Sequence, residues 1–327
     1  MSQSDNYDKY LQSLHSKKQT PDEIIRDFVK AGTGKEIISK RKIISGEVNE
    51  VYEINLSDHS NVILRISPNG SSGFQQEQWA IKECKKVNVP VPNIFLINYQ
   101  TIDSIEYGFC LMEKIEGDTL ERGKIDFNHL GLDEKKNYIH QAGEILSKIH
   151  SITPTGWGWI IKDKGQYDNS NDLFENWIGK KESYEKIAQE ENIKASLINK
   201  ANEVVEKFKE RYKSKKPCLN HADFAHKHFI VRGEKIVGIL DWGSVRSDLP
   251  IYDFANWDFW FGENIPTKWL KDGYTNKEIF DNDFDDFLHF IRITKALETL
   301  DWYHKQKYTE MAEKIKAKLI KDVSYFL

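Results

Sequence analysis

The stretch CLNHADFAHKHFIVRGEKIVGILDW, residues 218–242, decides the fold of this chain. Its two apolar runs, FIV and IVGIL, flank the segment RGEK, a turn signal in which Gly233 is free to adopt a positive φ. The pattern predicts a short β-hairpin. A turn centred just after Gly233 places His228 opposite Ile239, and it puts Asp241 beyond them at the same open end.

Three polar residues converge on that open end. Asp223 leads into it through a short loop, so a rigid scaffold delivers Asp223, His228 and Asp241 to one place. Such a set is typical of a site that holds a metal ion beside a general base. The alternative is that the two aspartates cap local turns and the histidine is an ordinary core or surface residue. Independent caps have no reason to converge, so we favour a shared site.

The length and composition of the chain are typical of a globular protein with two lobes. The chain has 327 residues, more than the roughly 250–300 at which a single core stops growing. Hydrophobic residues make up 39% and charged residues 30% of the sequence, which excludes the disordered class. Lys and Arg number 47 against 51 Asp and Glu, a net charge of -4. This balance argues against a nucleic-acid partner and suits a cationic small molecule.

The sequence also bears on location. Cys84, Cys110 and Cys218 are far apart and lack metal-binding spacing, which is typical of buried thiols in a reducing cytosol. No run of about 18 apolar residues occurs, and the N-terminal stretch lacks the apolar core of a signal peptide. We expect a cytoplasmic protein with no membrane partner.

Local patterns predict an N-terminal lobe made of an antiparallel sheet with an inserted helix. Strand patterns occupy residues 41–56, 60–67, 89–100 and 104–117, and helix patterns occupy residues 20–29 and 73–88. The apolar period then changes near Gly117 from that of strands to that of helices. We therefore expect an N-terminal lobe over residues 1–114 and a C-terminal lobe over residues 115–327.

The C-terminal lobe is predicted to be mainly helical. Helix patterns occupy residues 133–151, 172–189, 194–213 and 278–305. Residues 151–172, rich in Gly, Pro, Asn and aromatic residues, are expected to form an ordered connection without strands. In this lobe, only the hairpin of residues 218–242 has a sequence pattern that strongly predicts strands.

The opening stretch carries a signature of kinases. The segment His221-Ala222-Asp223 followed by Leu240-Asp241-Trp242 has the form H-A-D-F…I-L-D-W. With it the chain resembles the aminoglycoside phosphotransferase family, specifically its hygromycin B phosphotransferase branch. The likeness spans about residues 40–305 and includes the segments NVILRIS, GFQQEQW, VPVPNIFLI, LMEKIEG, ILSKIHSI and SDLPIYDFANWDFW. It implies an α+β, protein-kinase-like fold with two lobes.

The resemblance implies roles for the polar residues of the hairpin. Asp223 would orient the acceptor hydroxyl and take its proton, while Asp241 would hold Mg²⁺. His228 stands where most of the family has an asparagine that serves as the second magnesium ligand. Because Mg²⁺ prefers oxygen ligands, His228 either binds the metal directly or acts through water or a phosphate. His221 and Asp253 are supporting residues, and Asp253 matches a position that braces the catalytic loop.

A second pair of residues points to a nucleotide. Strand alternation places Arg65 among apolar neighbours, and helical spacing places Glu77 on an apolar stripe of the next helix. Each charge can neutralise the other, and in kinase folds such a pair braces the α- and β-phosphates of ATP or GTP. The alternative is that Arg65 extends to solvent and Glu77 lies at the edge of the stripe, with Glu83 as the fallback partner of the arginine.

Two backbone segments complete the expected nucleotide site. Ser45 and Gly46 join two predicted strands, so their amides are placed to approach phosphates, although an ordinary hairpin turn fits equally well. The strand FCLMEKIEG resembles the kinase hinge, which implies that the Glu113 carbonyl and the Ile115 amide bind adenine. A strand end followed by a linker is the alternative there.

The acceptor is the least determined part of the prediction. The acidic run DNDFDDF, residues 281–287, is either the capped, solvated start of a helix or an acidic wall for a polyamine sugar. The resemblance implies phosphorylation of a hydroxyl on a small cationic sugar-like acceptor, as in antibiotic resistance. The alternatives are a metabolic kinase of the same fold acting on choline, a sugar or a ketosamine, and a non-catalytic nucleotide-binding module.

Overall fold

The computed structural model of the protein describes residues 11–13, 15–16, 19–44, 49–68, 73–102, 104–120 and 125–327. The strands of the N-terminal lobe are β1 (Ile37–Ile43), β2 (Glu50–Leu56), β3 (Asn61–Pro68), β4 (Ile94–Ile102) and β5 (Ile105–Glu113). They form one sheet in the order β1-β2-β3-β5-β4, and each pairing is antiparallel. The predicted antiparallel sheet is therefore confirmed.

Two helices cover opposite faces of this sheet. They are α1 (Asp22–Thr33) and α2 (Phe74–Lys86). Leu64 of β3 belongs to the same buried cluster as Phe28 of α1, whereas Ile63, which points to the other face, packs with Phe74 of α2. The alternation of apolar residues in β3 thus lets one strand contribute to two cores.

The C-terminal lobe is mostly helical. Its helices are α3 (Leu132–Ile149), α4 (Ser170–Ile178), α5 (Lys181–Glu190), α6 (Ala195–Lys213), α7 (Ile251–Phe261), α8 (Thr267–Gly273), α9 (Phe284–Lys305) and α10 (Thr309–Ser324). Its strands are β6 (Asp118–Thr119), β7 (Trp157–Ile161), β8 (Lys164–Tyr167), β9 (Cys218–Asn220), β10 (Phe229–Arg232), β11 (Lys235–Ile239) and β12 (Arg246–Asp248). The α+β, kinase-like fold that the sequence predicts is confirmed.

The hairpin β10–β11 forms as predicted, but its register differs from the prediction. The pairing that starts at the turn shifts by one residue between Val231 and Ile230, so Phe229 pairs with Ile239. The Leu240 amide accordingly donates to the His228 carbonyl at 2.9 Å, so His228 lies opposite Leu240. The predicted pairing of His228 with Ile239 is wrong because the apolar pattern does not reveal a single inserted residue.

The prediction of a strand-free connection over residues 151–172 is also wrong. This segment contains the hairpin β7–β8, and β7 joins a four-stranded sheet in the order β8-β7-β12-β9. Gly158 in β7 has φ +84°, and a Cβ there would lie 2.8 Å from the ring of Tyr167. In the sequence such glycines favour a loop. In the structure, the glycine is needed because two strands pack closely.

Several helix boundaries differ from the predicted ones. The predicted helix over residues 172–189 is two helices, α4 and α5, and the helix predicted from residue 278 begins at Phe284. Helices α7, α8 and α10 were not predicted. In α7, apolar side chains are buried on nearly all sides of the helix, so the segment has no amphipathic stripe from which to recognise it.

The structure shows the surroundings of the three cysteines and the hydropathy of the described helices. Cys84, Cys110 and Cys218 are all buried free thiols, as expected. Within the described ranges, no helix has the combined length and hydropathy needed to cross a membrane.

Candidate active site

Two strained backbone conformations mark the open end of the hairpin. Ala222 has φ +62° and Asp241 has φ +64°, both in the left-handed region that residues with a Cβ rarely adopt. Each such conformation costs about 1–3 kcal/mol and persists only where surrounding contacts hold it. Ala222 directly precedes Asp223, so the strain sits at the two aspartates that the sequence predicts to be functional.

Asp253 of α7 holds the backbone in front of Asp223. Its fully buried carboxylate accepts hydrogen bonds from the His221 amide at 2.9 Å and from the Ala222 amide at 2.8 Å. It also contacts Nε2 of His150 at 3.1 Å. Three contacts to one carboxylate explain how a left-handed alanine is kept in place.

His221 connects the two aspartate segments. Its Nε2 lies 3.0 Å from the carbonyl oxygen of Leu240, and its Nδ1 accepts a hydrogen bond from the Asp223 amide at 3.3 Å. Burial lowers the pKa of His221, which favours the neutral ring that one donor and one acceptor require. The ring also packs on Trp242, with centroids 4.6 Å apart.

Asp223, His228 and Asp241 form one cluster, as the sequence predicts. Single ligand atoms of the three side chains lie within 4.8 Å of one another. His228 Nε2 is 3.0 Å from Asp223 Oδ2 and 3.9 Å from Asp241 Oδ2. The side chain of Asp241 is 48% exposed, so its carboxylate faces an open space where a cation and an anionic ligand can enter. The arrangement can therefore hold a divalent metal beside a second carboxylate.

Both carboxylates of the cluster are kept ionised. Burial opposes ionisation of Asp223, but the hydrogen bond from His228 and the charges of His228 and Lys227 outweigh it and hold the pKa well below its usual value. Partial desolvation by the surrounding residues likewise opposes ionisation of Asp241, and the charges of His228 and Arg65 lower its pKa overall. A carboxylate that is ionised at neutral pH can orient a hydroxyl or bind a cation.

Arg65 and Glu77 form the predicted ion pair beside this cluster. Arg65 Nη1 is 2.5 Å from Glu77 Oε1, and Arg65 Nη2 is 3.5 Å from Asp241 Oδ1. Burial disfavours the charge of Arg65, but Glu77 and Asp241 more than offset it and raise the pKa of the guanidinium. Glu83, the fallback partner, instead contacts Lys86. The arginine thus joins helix α2 to the aspartate at the end of the hairpin.

The predicted hinge packs against the hairpin β10–β11. Ile115 lies over Gly238 of β11, where an added Cβ would be 2.6 Å from Cδ1 of the isoleucine. Gly117 has φ +151°, and a Cβ there would be 2.5 Å from the Val231 carbonyl oxygen, so the chain passes where only glycine fits. The side chain of Glu113 accepts from the Asn93 amide at 2.9 Å. Backbone groups of the hinge are therefore next to the hairpin that carries Asp241.

Two predicted nucleotide contacts, Ser45 and Gly46, lie outside the described residues. The strands on either side of them, β1 and β2, pair in an antiparallel manner. Their role in contacting phosphates stays a prediction.

The acidic run over residues 281–286 is engaged within the protein. Arg211 of α6 contacts Asp283 at 3.0 Å and Asp286 at 2.8 Å, and the Tyr325 hydroxyl donates to Asp286 at 3.0 Å. These contacts agree with the interpretation of the run as the start of a helix, where acidic side chains also interact favourably with the helix dipole.

Sequence reasoning overlooked one charged residue of the site. Lys227 belongs to a short 3₁₀ helix, His226–His228, and its Nζ is 3.9 Å from Asp223 Oδ2. The signal was present in the sequence as a lysine four positions after the aspartate.

The comparisons with known proteins agree with this geometry. The model of the phosphotransferase enzyme family (APH) matches residues 41–281, well over half of the chain. The chain belongs to this family. It is therefore a small-molecule kinase, as the resemblance of its sequence implies. No curated protein shows significant similarity to the whole sequence.

Solved structures show the same fold at low sequence identity. A thermostable mutant of aminoglycoside phosphotransferase APH(4)-Ia, in ternary complex with ADP and hygromycin B, is 16% identical with a TM-score of 0.70, covering 92% of this chain and 98% of that one. A protein from Haemophilus somnus provisionally identified as a fructosamine-3-kinase is 18% identical with a TM-score of 0.61, covering 90% and 96%. The APH(2")-IIa complex with gentamicin is 17% identical with a TM-score of 0.59, covering 93% and 97%.

Proposed function

We propose that the chain transfers the γ-phosphoryl group of ATP or GTP to a hydroxyl of a small, cationic, sugar-like acceptor of the aminoglycoside type. One observation carries the proposal: the side chains of Asp223, His228 and Asp241 converge within 4.8 Å, and Arg65 reaches Asp241 from the predicted nucleotide side. The APH(4)-Ia structure with ADP and hygromycin B supports the same pairing of substrates.

The donor set of the cluster fits a divalent metal. Asp241 supplies carboxylate oxygens, which are the ligands that Mg²⁺ prefers, and His228 supplies a nitrogen that suits softer ions such as Zn²⁺ better. We assign Asp241 as the principal metal ligand. His228 would be the second ligand only in a state in which its Nε2 no longer donates to Asp223 Oδ2, and otherwise it would act through water or a phosphate. When bound, the metal would neutralise charge on the nucleotide phosphates.

Asp223 acts on the acceptor. Its Oδ2 is taken by His228 at 3.0 Å, while Oδ1 has no hydrogen-bond partner among the residues that the structure describes and is left for the acceptor hydroxyl. The carboxylate orients this hydroxyl in line with the phosphorus atom and accepts its proton as the new bond forms. Because phosphoryl transfer has a loose transition state, positioning and charge neutralisation provide most of the rate.

The remaining predicted residues bind the nucleotide or support the loop. Arg65, braced by Glu77, would grip the α- and β-phosphates, and its planar fork allows two parallel contacts. The Glu113 carbonyl and the Ile115 amide would hydrogen-bond the base. Asp253 supports the loop through its contacts with two backbone amides.

In this proposal the nucleotide lies between the lobes, whose boundary follows residue 114. Ser45 and Gly46 then cover the phosphates from the N-terminal side.

One observation favours a different acceptor. In the acidic run over residues 281–286, Arg211 binds Asp283 and Asp286, and Tyr325 also binds Asp286, so two of its four carboxylates are not free to face a polyamine. The similarity in fold to the fructosamine-3-kinase structure supports a metabolic kinase that acts on a ketosamine, a sugar or choline. The family assignment favours either enzyme over the non-catalytic nucleotide-binding module.

An acceptor screen tests the proposal. The purified protein is incubated with ATP and Mg²⁺, and ADP release is measured with hygromycin B, gentamicin, choline, a simple sugar and a ketosamine. We expect an aminoglycoside to stimulate ADP release and to gain one phosphoryl group by mass spectrometry. Stimulation by the ketosamine, sugar or choline alone would establish the metabolic alternative.

Matched aspartate variants control the screen. Asp241→Ala removes the proposed metal ligand and should abolish stimulated ADP release. Asp272→Ala removes a carboxylate that pairs with Lys268 on the surface and should leave it unchanged. A wild-type protein that binds ATP but releases no ADP with any acceptor contradicts the proposed function.

A further inference from the structure

Lys227 is the cation on the acceptor side of the cluster. Its Nζ is 3.9 Å from Asp223 Oδ2, and its side chain is 38% exposed, so the ammonium lies at the mouth of the site. Arg65, another cation of the site, contacts Glu77 and Asp241. Lys227 is thus the cation next to the proposed acceptor base, and Arg65 is the cation next to the proposed metal ligand.

The donors of Lys227 meet no acceptor among the residues that the structure describes. An ammonium group has three N–H donors, and 3.9 Å is too long for a hydrogen bond to Asp223. Over the part of the chain that the structure describes, Lys227 Nζ has no other hydrogen-bond partner. A half-exposed cation with free donors, aimed at the space beside a catalytic carboxylate, is equipped to bind an anion there.

The proposed reaction places an anionic group in that space. A phosphoryl group in transit carries charge on its three equatorial oxygens, and it must pass from the nucleotide towards the hydroxyl held by Asp223. Preorganised donors aimed at developing charge are the largest single contribution to many enzymatic rates. Arg65, which contacts Glu77 and Asp241, is assigned to the α- and β-phosphates, which leaves this task to another cation.

We propose that Lys227 binds the phosphoryl group during transfer and is a catalytic residue. The inference rests on the proposed function. In the step, the bond between the γ-phosphorus and the β-bridging oxygen breaks and its electron pair stays on ADP. A bond forms from the phosphorus to the acceptor oxygen, and the hydroxyl proton passes to Asp223. Lys227 donates hydrogen bonds to the equatorial oxygens and neither gains nor loses a proton.

A comparison of two nucleotides tests this assignment. Lys227→Met keeps the length of the side chain and removes its charge, and Lys227→Arg keeps the charge. For Lys227→Met, we expect the affinity for AMP-PNP to fall about 10-fold, since a hydrogen bond to a charged group is lost. The affinity for ADP, which lacks the γ-phosphate, should not change. The turnover number should fall roughly 100-fold, and Lys227→Arg should restore most of it.

The controls separate the possible outcomes. Lys235→Met makes the same change at the far end of the same hairpin and should behave as the wild type, and thermal melting checks that all variants fold. If Lys227 acted only on the charge of Asp223, the pH profile of turnover would shift while AMP-PNP affinity stayed constant, and this result overturns the proposal. Equal losses for AMP-PNP and ADP also overturn it. A wild-type protein that binds neither nucleotide contradicts the proposed function itself.

Discussion

Removal of the Asp253 carboxylate should destabilise the protein and misplace its catalytic loop. In Asp253→Ala, the buried amides of His221 and Ala222 lose the acceptor that they contact at 2.9 and 2.8 Å. Each unsatisfied buried amide costs about 1–3 kcal/mol, so the free energy of unfolding should fall by about 2–6 kcal/mol. Asp253→Asn keeps one acceptor oxygen but turns an NH₂ group towards a donor, so its loss should be about half as large.

The assay for this prediction combines stability with turnover. Urea unfolding followed by tryptophan fluorescence gives the free energy, and ADP release gives the turnover number. Because Ala222 adopts φ +62° only while it is held, we expect turnover to fall about 100-fold, the cost of a misplacement of about 1 Å. Asp272→Ala, an exposed aspartate, should change the free energy by less than about 0.5 kcal/mol. An Asp253→Ala variant within about 1 kcal/mol of the wild type, with normal turnover, would refute the reasoning.

Two further predictions concern charged contacts in each lobe. Glu77→Ala removes the short contact of the buried Arg65 and leaves it only the 3.5 Å contact with Asp241. In urea unfolding, the free energy should fall by up to about 3–5 kcal/mol; a loss below about 1 kcal/mol contradicts a buried pair. The hydrogen bond with Glu191, aided by the charge of Glu190 and opposed by burial, raises the pKa of His304. The contacts of protonated His304 therefore stabilise the folded protein fully below the pKa of His304 in the unfolded chain, about 6.5. This contribution is lost as the pH rises through the pKa of His304 in the folded protein. His304→Gln should lower the melting temperature more at pH 6 than at pH 9, and equal effects at both pH values would contradict this linkage.

The elements and residues predicted correctly are those that local periodicity determines. Alternation in β3 and helical spacing in α2 were sufficient to bring Arg65 and Glu77 together, and their contact is present at 2.5 Å. The cluster of Asp223, His228 and Asp241 also followed from one short hairpin. In each case a few consecutive residues with a regular period carry the information.

The features that were missed depend on contacts between distant parts of the chain. The strand β7 forms because Gly158 pairs with Ser247, far along the sequence. Helix α7 was missed because it is buried on nearly all sides. The contact of its Asp253 with the loop at His221 spans 32 residues, and it was expected only from the family resemblance and not from any local pattern. Single-sequence patterns do not contain these pairings, since tertiary packing decides them.

The most direct test of the central claim is the turnover of Asp223→Asn. This variant keeps the size of the side chain and removes the charge that accepts the proton of the acceptor. The account predicts that phosphoryl transfer falls by about 10²–10⁴-fold, while the affinity for AMP-PNP is retained because Arg65 and Asp241 are unchanged. Near-normal turnover in Asp223→Asn would show that Asp223 is not the base and would contradict the account.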